Sequence, residues 1–171
     1  MKTFLLLSVA FLTFLPFKSV AQNGNSVTPA IKEIKTYISS LKTGDKKTKV
    51  SATNSQFIEN LVFGVQPSIY LNSGNEKIYG DKPVKLFTDI SSLSKITSSN
   101  LATDAIEIVV VNIKNATDLN SKIDLAIFSN FTTLKYFYVL SSINASEQNI
   151  ANMFLNYNNQ YSIFYKIEIV E

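Results

Sequence analysis

The chain has 171 residues with 16 basic and 13 acidic side chains, a formal net charge of +3, and no cysteine, histidine or tryptophan. Every basic residue is lysine, so the guanidinium fork that favours phosphate and guanine contacts is missing, which argues against nucleic acid as a partner. Without imidazole or thiol, the chain lacks the usual general base at neutral pH, the thiolate nucleophile and the common zinc ligands; histidine-dependent hydrolases and zinc enzymes are excluded, and no metal or cofactor is expected.

Residues 1–21 have the plan of a secretory signal: basic Lys2, an apolar run from Phe4 to Phe17, and small Ser19 and Ala21 before the expected cut. The apolar run is interrupted by Pro16 and is shorter than the roughly 18 to 20 residues that span a bilayer. We therefore expect cleavage after Ala21, an exported protein that is periplasmic or secreted if the source is bacterial, and one globular domain over 22–171. Loss of Lys2 and Lys18 lowers the net charge to +1. No later segment is long and apolar enough to span a membrane, and with no cysteine the domain must rely on packing rather than disulfides.

Thr28-Pro29 offers an N-cap with proline at the first helical position, and Ile31, Ile34, Ile38 and Leu41 fall on one stripe before Gly44, which predicts a helix from Pro29 to Leu41. Thr43 to Ser55 reads as a loop, with Lys42, Lys46, Lys47 and Lys49 as a solvated cluster around Gly44. Phe57 to Val65 is apolar and fits a helix or a strand. Ser68 to Leu71 and Lys77 to Tyr79, joined by Asn72-Ser73-Gly74-Asn75, predict a β-hairpin.

The second half carries an internal repeat. Asp89-Ile90-x-x-Leu93-Ser94-x-Ile96-Thr97 recurs 35 residues on as Asp124-Leu125-x-x-Phe128-Ser129-x-Phe131-Thr132, and Asn115-Ala116-Thr117-Asp118 recurs 29 residues on as Asn144-Ala145-Ser146-Glu147. We align the strands Ile106 to Ile113 and Leu134 to Ser141 at the same shift of 29, and expect a third strand, Ser162 to Val170, after a helix over Glu147 to Tyr157. Strands separated by about twenty residues with a helical piece between them favour parallel pairing. The fold class is therefore α/β: a short, mostly parallel, repeat-like sheet with helical connections, and the N-terminal helix and hairpin as its cap or cover.

Leu125-x-x-Phe128-x-x-Phe131-Thr132-x-Leu134-Lys135-x-Phe137-x-Val139 resembles a leucine-rich repeat with other apolar residues replacing several leucines. Ile90-x-x-Leu93-x-x-Ile96-Thr97 repeats its first part, and Ala105, Ile108, Val110 and Phe164, Ile167, Ile169 take the equivalent strand positions, so the resemblance spans Asp89 to Val170. It implies a sheet with one face packed on its connections and a second face that binds partners.

Candidate chemistry is sparse. Ser39-x-x-Lys42 and Ser92-x-x-Lys95 fit a serine–lysine pattern, but Lys42-Thr43-Gly44 overlaps the first, whereas serine β-lactamases keep these motifs far apart. Asp118, Asn120 and Asp124 suggest a calcium loop, yet Lys122 takes a ligand position and Ile123 replaces the turn glycine. Asn115, Asn130 and Asn144 begin Asn-x-Ser/Thr acceptors; Asn115 and Asn144, each with an acid three places on, read better as helix caps. No catalytic residue is assigned.

The candidate binding face is aromatic. Alternation sends Tyr136, Tyr138 and Leu140 to one side of their strand, where the shift of 29 sets Val109 and Val111 beside them. Exposed, these five would form a large apolar patch, so we expect the N-terminal helix to cover them. The function expected is a non-catalytic exported binding or structural module whose partner is a protein or a cell-surface glycan; the alternative is a small carboxylate-dependent glycan-processing enzyme.

Overall fold

The computed structural model describes residues 29–43, 49–98 and 100–169. The signal segment, the Thr28 cap and the Gly44 helix stop lie outside the described residues, and of the lysine cluster only the Lys42 side chain lies within them.

The first element is not a helix: Ile31–Glu33 forms a short strand, β1, and helix α1 (Ile34–Thr43) begins directly after it. Glu33 sets that boundary, because its carboxylate accepts the N–H groups of Lys35 at 3.1 Å and Thr36 at 2.6 Å, groups that have no partner inside the helix. The expected stripe divides accordingly. Ile34 and Ile38 are buried on α1, with Leu41 partly so, while Ile31 joins a different core from the strand. Helix α2 (Lys49–Phe63) starts inside the expected loop and resolves the ambiguous apolar segment as helical. Its first half is rich in Val, Ser, Thr and Asn, which carry little helical preference; Ile58, Leu61 and Val62 in the second half provide the packing that holds it.

The hairpin follows as predicted: β2 (Ser68–Asn72) and β3 (Asn75–Tyr79) pair antiparallel through a two-residue turn. Both turn residues have positive φ, 48° at Ser73 and 74° at Gly74, the twist that suits hairpin strands. Strands β4 (Lys85–Asp89) and β5 (Ile108–Ile113) come next, with short helical turns after them at Ile90–Lys95, Ala116–Asn120 and Leu125–Phe128. Two-residue strand β6 (Ile123–Asp124) lies between the last two turns, ahead of β7 (Tyr136–Ser141). Helix α3 (Glu147–Ala151) is shorter than expected and gives way to β8 (Phe154–Leu155), which pairs with β6 before β9 (Ser162–Ile167).

The main sheet has seven strands in the order β1-β9-β7-β5-β4-β2-β3, and every neighbour pair except β2 with β3 is parallel. The fold is thus α/β with a mostly parallel sheet. From β4 onward each strand lies beside the last, and the turns between them pack on one face, where Phe137 meets Phe128 at 4.9 Å, Tyr161 at 5.2 Å and Phe154 at 6.1 Å between ring centres. The link from β1 to β2 instead passes four strands, and its helices α1 and α2 cover the opposite face over Ile108, Val110, Tyr138 and Phe164. Tyr37 of α1 stacks on Phe164 at 4.9 Å. Burial on both faces explains the continuous apolar runs of β5 and β7.

The strand register corrects the expected shift. Ile108 lies beside Tyr136 and Val110 beside Tyr138, a shift of 28 rather than 29. One residue of slip exchanges the two faces of a strand, so Val109 and Val111 stand with Phe137 and Val139 in the other core, not beside Tyr138. The cause is loop length. Asn115, whose N–H is held by Asp118 at 3.0 Å, caps its turn two residues beyond β5, but the cap of α3 is Ser146, five residues beyond β7, not the expected Asn144. The 35-residue match is likewise local: Asp89 and Asp124 each accept an N–H of a following turn, from Ser92 and Ala126, yet Asp89 ends a strand of the main sheet and Asp124 a strand of the small one.

Candidate functional site

Tyr136, Tyr138 and Leu140 share a face as expected, and that face lies beneath the helices. Tyr138 is 5 % exposed, with Phe63 of α2 edge-on at 6.5 Å, and Phe57 lies 6.5 Å from Tyr136. Burial, with a smaller contribution from the Glu33 charge, pushes the Tyr138 phenol up to about 12. Burial also raises Tyr136, with Tyr37 and Glu107 adding to the effect. Of the five residues singled out from sequence, Val109 and Val111 belong to the opposite core and the other three to the covered half of the helix-side face.

The helix cover stops before β2 and β3. Gly64 ends α2, its N–H bonded to the Asn60 carbonyl at 2.8 Å, and the buried Lys85 gathers the freed carbonyls, donating to Val62 at 3.1 Å and Gly64 at 2.8 Å. Burial lowers the Lys85 pKa, a cost offset in part by those two hydrogen bonds. The chain then turns through Val65 and Gln66 into the hairpin and leaves the end of the sheet uncovered.

A cleft of about 780 Å³ occupies that end. Its floor is the helix-side face of the hairpin, Ser68, Tyr70 and Asn72 of β2 opposite Tyr79, Lys77 and Asn75 of β3, with Val65, Gln66 and Ser73 at its margins. Tyr70 stacks flat on Phe87 of β4, centres 4.6 Å apart and planes 7° apart, and meets the ring of Tyr79 edge-on at 5.4 Å. Tyr79 is 57 % exposed. Among the described residues, Asn72 Oδ1 is the buried side-chain polar atom without a hydrogen-bond partner.

Asp89 fastens the hairpin. One carboxylate oxygen accepts the Ser73 N–H at 3.0 Å, and the other accepts the Ser92 N–H at 2.9 Å and the Ser91 hydroxyl at 2.7 Å. Buried Ser92 in turn accepts the Gly74 N–H at 3.1 Å. Burial alone would raise the Asp89 pKa, but the hydrogen bonds from Ser92, Ser91 and Ser73 outweigh it and hold the group below the usual carboxylate range.

The other described acids with displaced pKa values are likewise held down by hydrogen bonds. Burial would raise Glu33, but the Thr36 and Lys35 N–H groups bring it down; Asp124 is lowered by the Asn156 amide and then by the Ala126 N–H. A glycosidase acid must instead hold its proton near neutral pH. Among the described residues, no carboxylate lines the hairpin cleft. The serine–lysine pairs are also engaged elsewhere: Lys42 bonds Glu59 at 2.6 Å, and Ser92 holds the hairpin turn. Asp118 accepts from the N–H groups of Lys114 and Asn115 at 2.9 and 3.0 Å.

The hairpin cleft carries groups suited to holding a ligand. It offers an exposed ring for stacking, amide and hydroxyl groups for hydrogen bonds, and Lys77 as a cation. Sequence reasoning finds the hairpin but assigns it to the cap or cover of the sheet. The usable signal was alternation: Ser68, Tyr70 and Asn72 share one face with Asn75, Lys77 and Tyr79, while Ile69, Leu71 and Ile78 take the other. Comparison of the chain with family models, curated proteins and solved structures finds no match to any of the three.

Proposed function

We propose that the protein is an exported, non-catalytic binding module, a short leucine-rich-repeat-like sheet that holds a cell-surface glycan at its hairpin end. The observation that carries this reading is the cleft over β2 and β3, where the exposed Tyr79 ring stands among amides, hydroxyls and Lys77, with no acid among the described lining residues. A sugar ring presents apolar C–H faces and a rim of hydroxyls, so an aromatic ring beside neutral hydrogen-bonding groups matches it on both counts. Lys77 adds a preference for acidic sugars. The aromatic half beneath α1 and α2, Tyr136 and Tyr138, serves packing rather than recognition in this reading.

The test is retention on insoluble and immobilised polysaccharides of protein recovered from the exported fraction, whose mass is expected to begin at Gln22. Tyr79→Ala should weaken retention by about tenfold or more, the loss of one well-placed stacking contact, and leave the melting temperature unchanged. Retention of the native protein on no glycan, or equal retention of Tyr79→Ala, contradicts the reading. Release of new reducing ends from a bound polysaccharide would favour the carboxylate enzyme instead.

A further inference from the structure

The hairpin leaves β3 as an edge of the sheet, and all five of its residues, Asn75–Tyr79, are exposed. In a two-residue hairpin the pair closing the turn exchanges both hydrogen bonds, and such pairs alternate along the strands. Here the closing pair is Asn72 with Asn75, so Lys77 and Tyr79 also direct their backbone groups toward β2. Glu76 and Ile78 direct theirs outward, where they meet no strand among the described residues. An edge of this kind is a template for another strand.

We propose that the occupant is a second copy of this chain, paired antiparallel through β3 about a two-fold axis. The argument is charge and register. A symmetric pairing must set the outward-directed residues Glu76 and Ile78 against each other, which leaves three registers. One places Glu76 opposite the partner's Glu76, and another places Lys77 opposite the partner's Lys77; like charges directly opposite destabilise a sheet. The third places Ile78 opposite the partner's Ile78 on one face, and on the cleft face sets each Lys77 against the partner's Tyr79. That register joins two half-exposed isoleucines and gives each lysine an aromatic face.

The pairing has a consequence for the cleft, since Lys77 and Tyr79 line it. The partner's Lys77 then becomes part of each site, and the two clefts abut across the axis on one continuous face. The pairing itself does not depend on what the cleft holds. The ladder is short, so the association is of the weak, concentration-dependent kind.

The native chain has no cysteine, which makes a crosslinking test clean. Residues facing each other in a hydrogen-bonded antiparallel pair have Cα atoms about 5.5 Å apart, inside the range a disulfide spans. Ile78→Cys should therefore oxidise to a covalent dimer about tenfold faster than Glu76→Cys, at a rate that rises with protein concentration. Sedimentation of the native protein should show a reversible monomer–dimer equilibrium, and Ile78→Lys, which faces lysine with lysine, should be monomeric with an unchanged melting temperature. Equal crosslinking of the two cysteine variants, a monomeric native protein at millimolar concentration, or a dimer that survives Ile78→Lys would overturn the proposal.

Discussion

The helix-side face of the sheet carries two aromatic groups that differ in surroundings more than in composition. Tyr136, Tyr138 and Phe164 lie under α1 and α2, while Tyr70, Phe87 and Tyr79 lie at the hairpin end beyond the last turn of α2. Each group has stacked rings, but the second faces the hairpin cleft of about 780 Å³, with amides and a lysine at its rim, whereas Phe164 of the first lines a recess of about 200 Å³ with Tyr37, Lys32 and Asn159. Residue type therefore does not decide which aromatic surface is for packing and which for binding. The decision lies where α2 stops, and that is set by Gly64 and the buried ammonium of Lys85.

The same substitution at the two ends breaks this comparison most sharply if it is wrong. Tyr138→Asp should destabilise the protein by more than about 3 kcal/mol in denaturant unfolding, because the new carboxylate lies beneath two helices without a partner. A variant that melts like the native protein would mean that α1 and α2 do not cover this half.

Asp89 governs the open half, and its effect should be intermediate. Asp89→Asn keeps an acceptor but loses the charge that holds the Ser73 and Ser92 N–H groups, at a cost of about 1 to 2 kcal/mol. The sign with pH follows from the lowered pKa. Asp89 contributes stability fully above the pKa of an unfolded aspartate, and the contribution is lost as pH falls through its depressed folded value. Stability of the native protein should thus decline on acidification below about pH 4 more steeply than that of Asp89→Asn. Parallel slopes would show that the hairpin is held by other contacts.

The smallest effect is expected at Tyr79. Tyr79→Asp changes an exposed ring on an edge strand and should alter stability by no more than about 0.5 kcal/mol, although it removes the stacking surface of the cleft. A large loss would place Tyr79 in the core and remove the contrast with Tyr138.

Much of this architecture is legible in the residues. The Asn72-Ser73-Gly74-Asn75 turn specifies its hairpin because both central residues must adopt positive φ, and β-branched and aromatic runs mark β5, β7 and β9. The apolar stripe on α1 also requires a cover, which the sheet provides. Register is less legible. Strands buried on both faces lack the alternation that would distinguish a shift of 28 from one of 29, and capping motifs that recur in sequence are displaced by the longer loop after β7. Ile31 fits the helical stripe, but the bonds from Glu33 to the first turn of α1 leave it in a strand beside β9. The cleft was hidden for a tertiary reason: nothing near Tyr70 or Tyr79 in the sequence records where α2, or the lysine that ends it, will lie.

Tyrosine nitration of the folded protein, read residue by residue by mass spectrometry, tests the central contrast without knowledge of a ligand. Tyr79, 57 % exposed, should be modified readily, whereas Tyr138, 5 % exposed and with its phenol held protonated up to about 12, should react only as the protein unfolds. Modification of Tyr138 at the rate of Tyr79 under native conditions would contradict a sheet face covered at one end and open at the other.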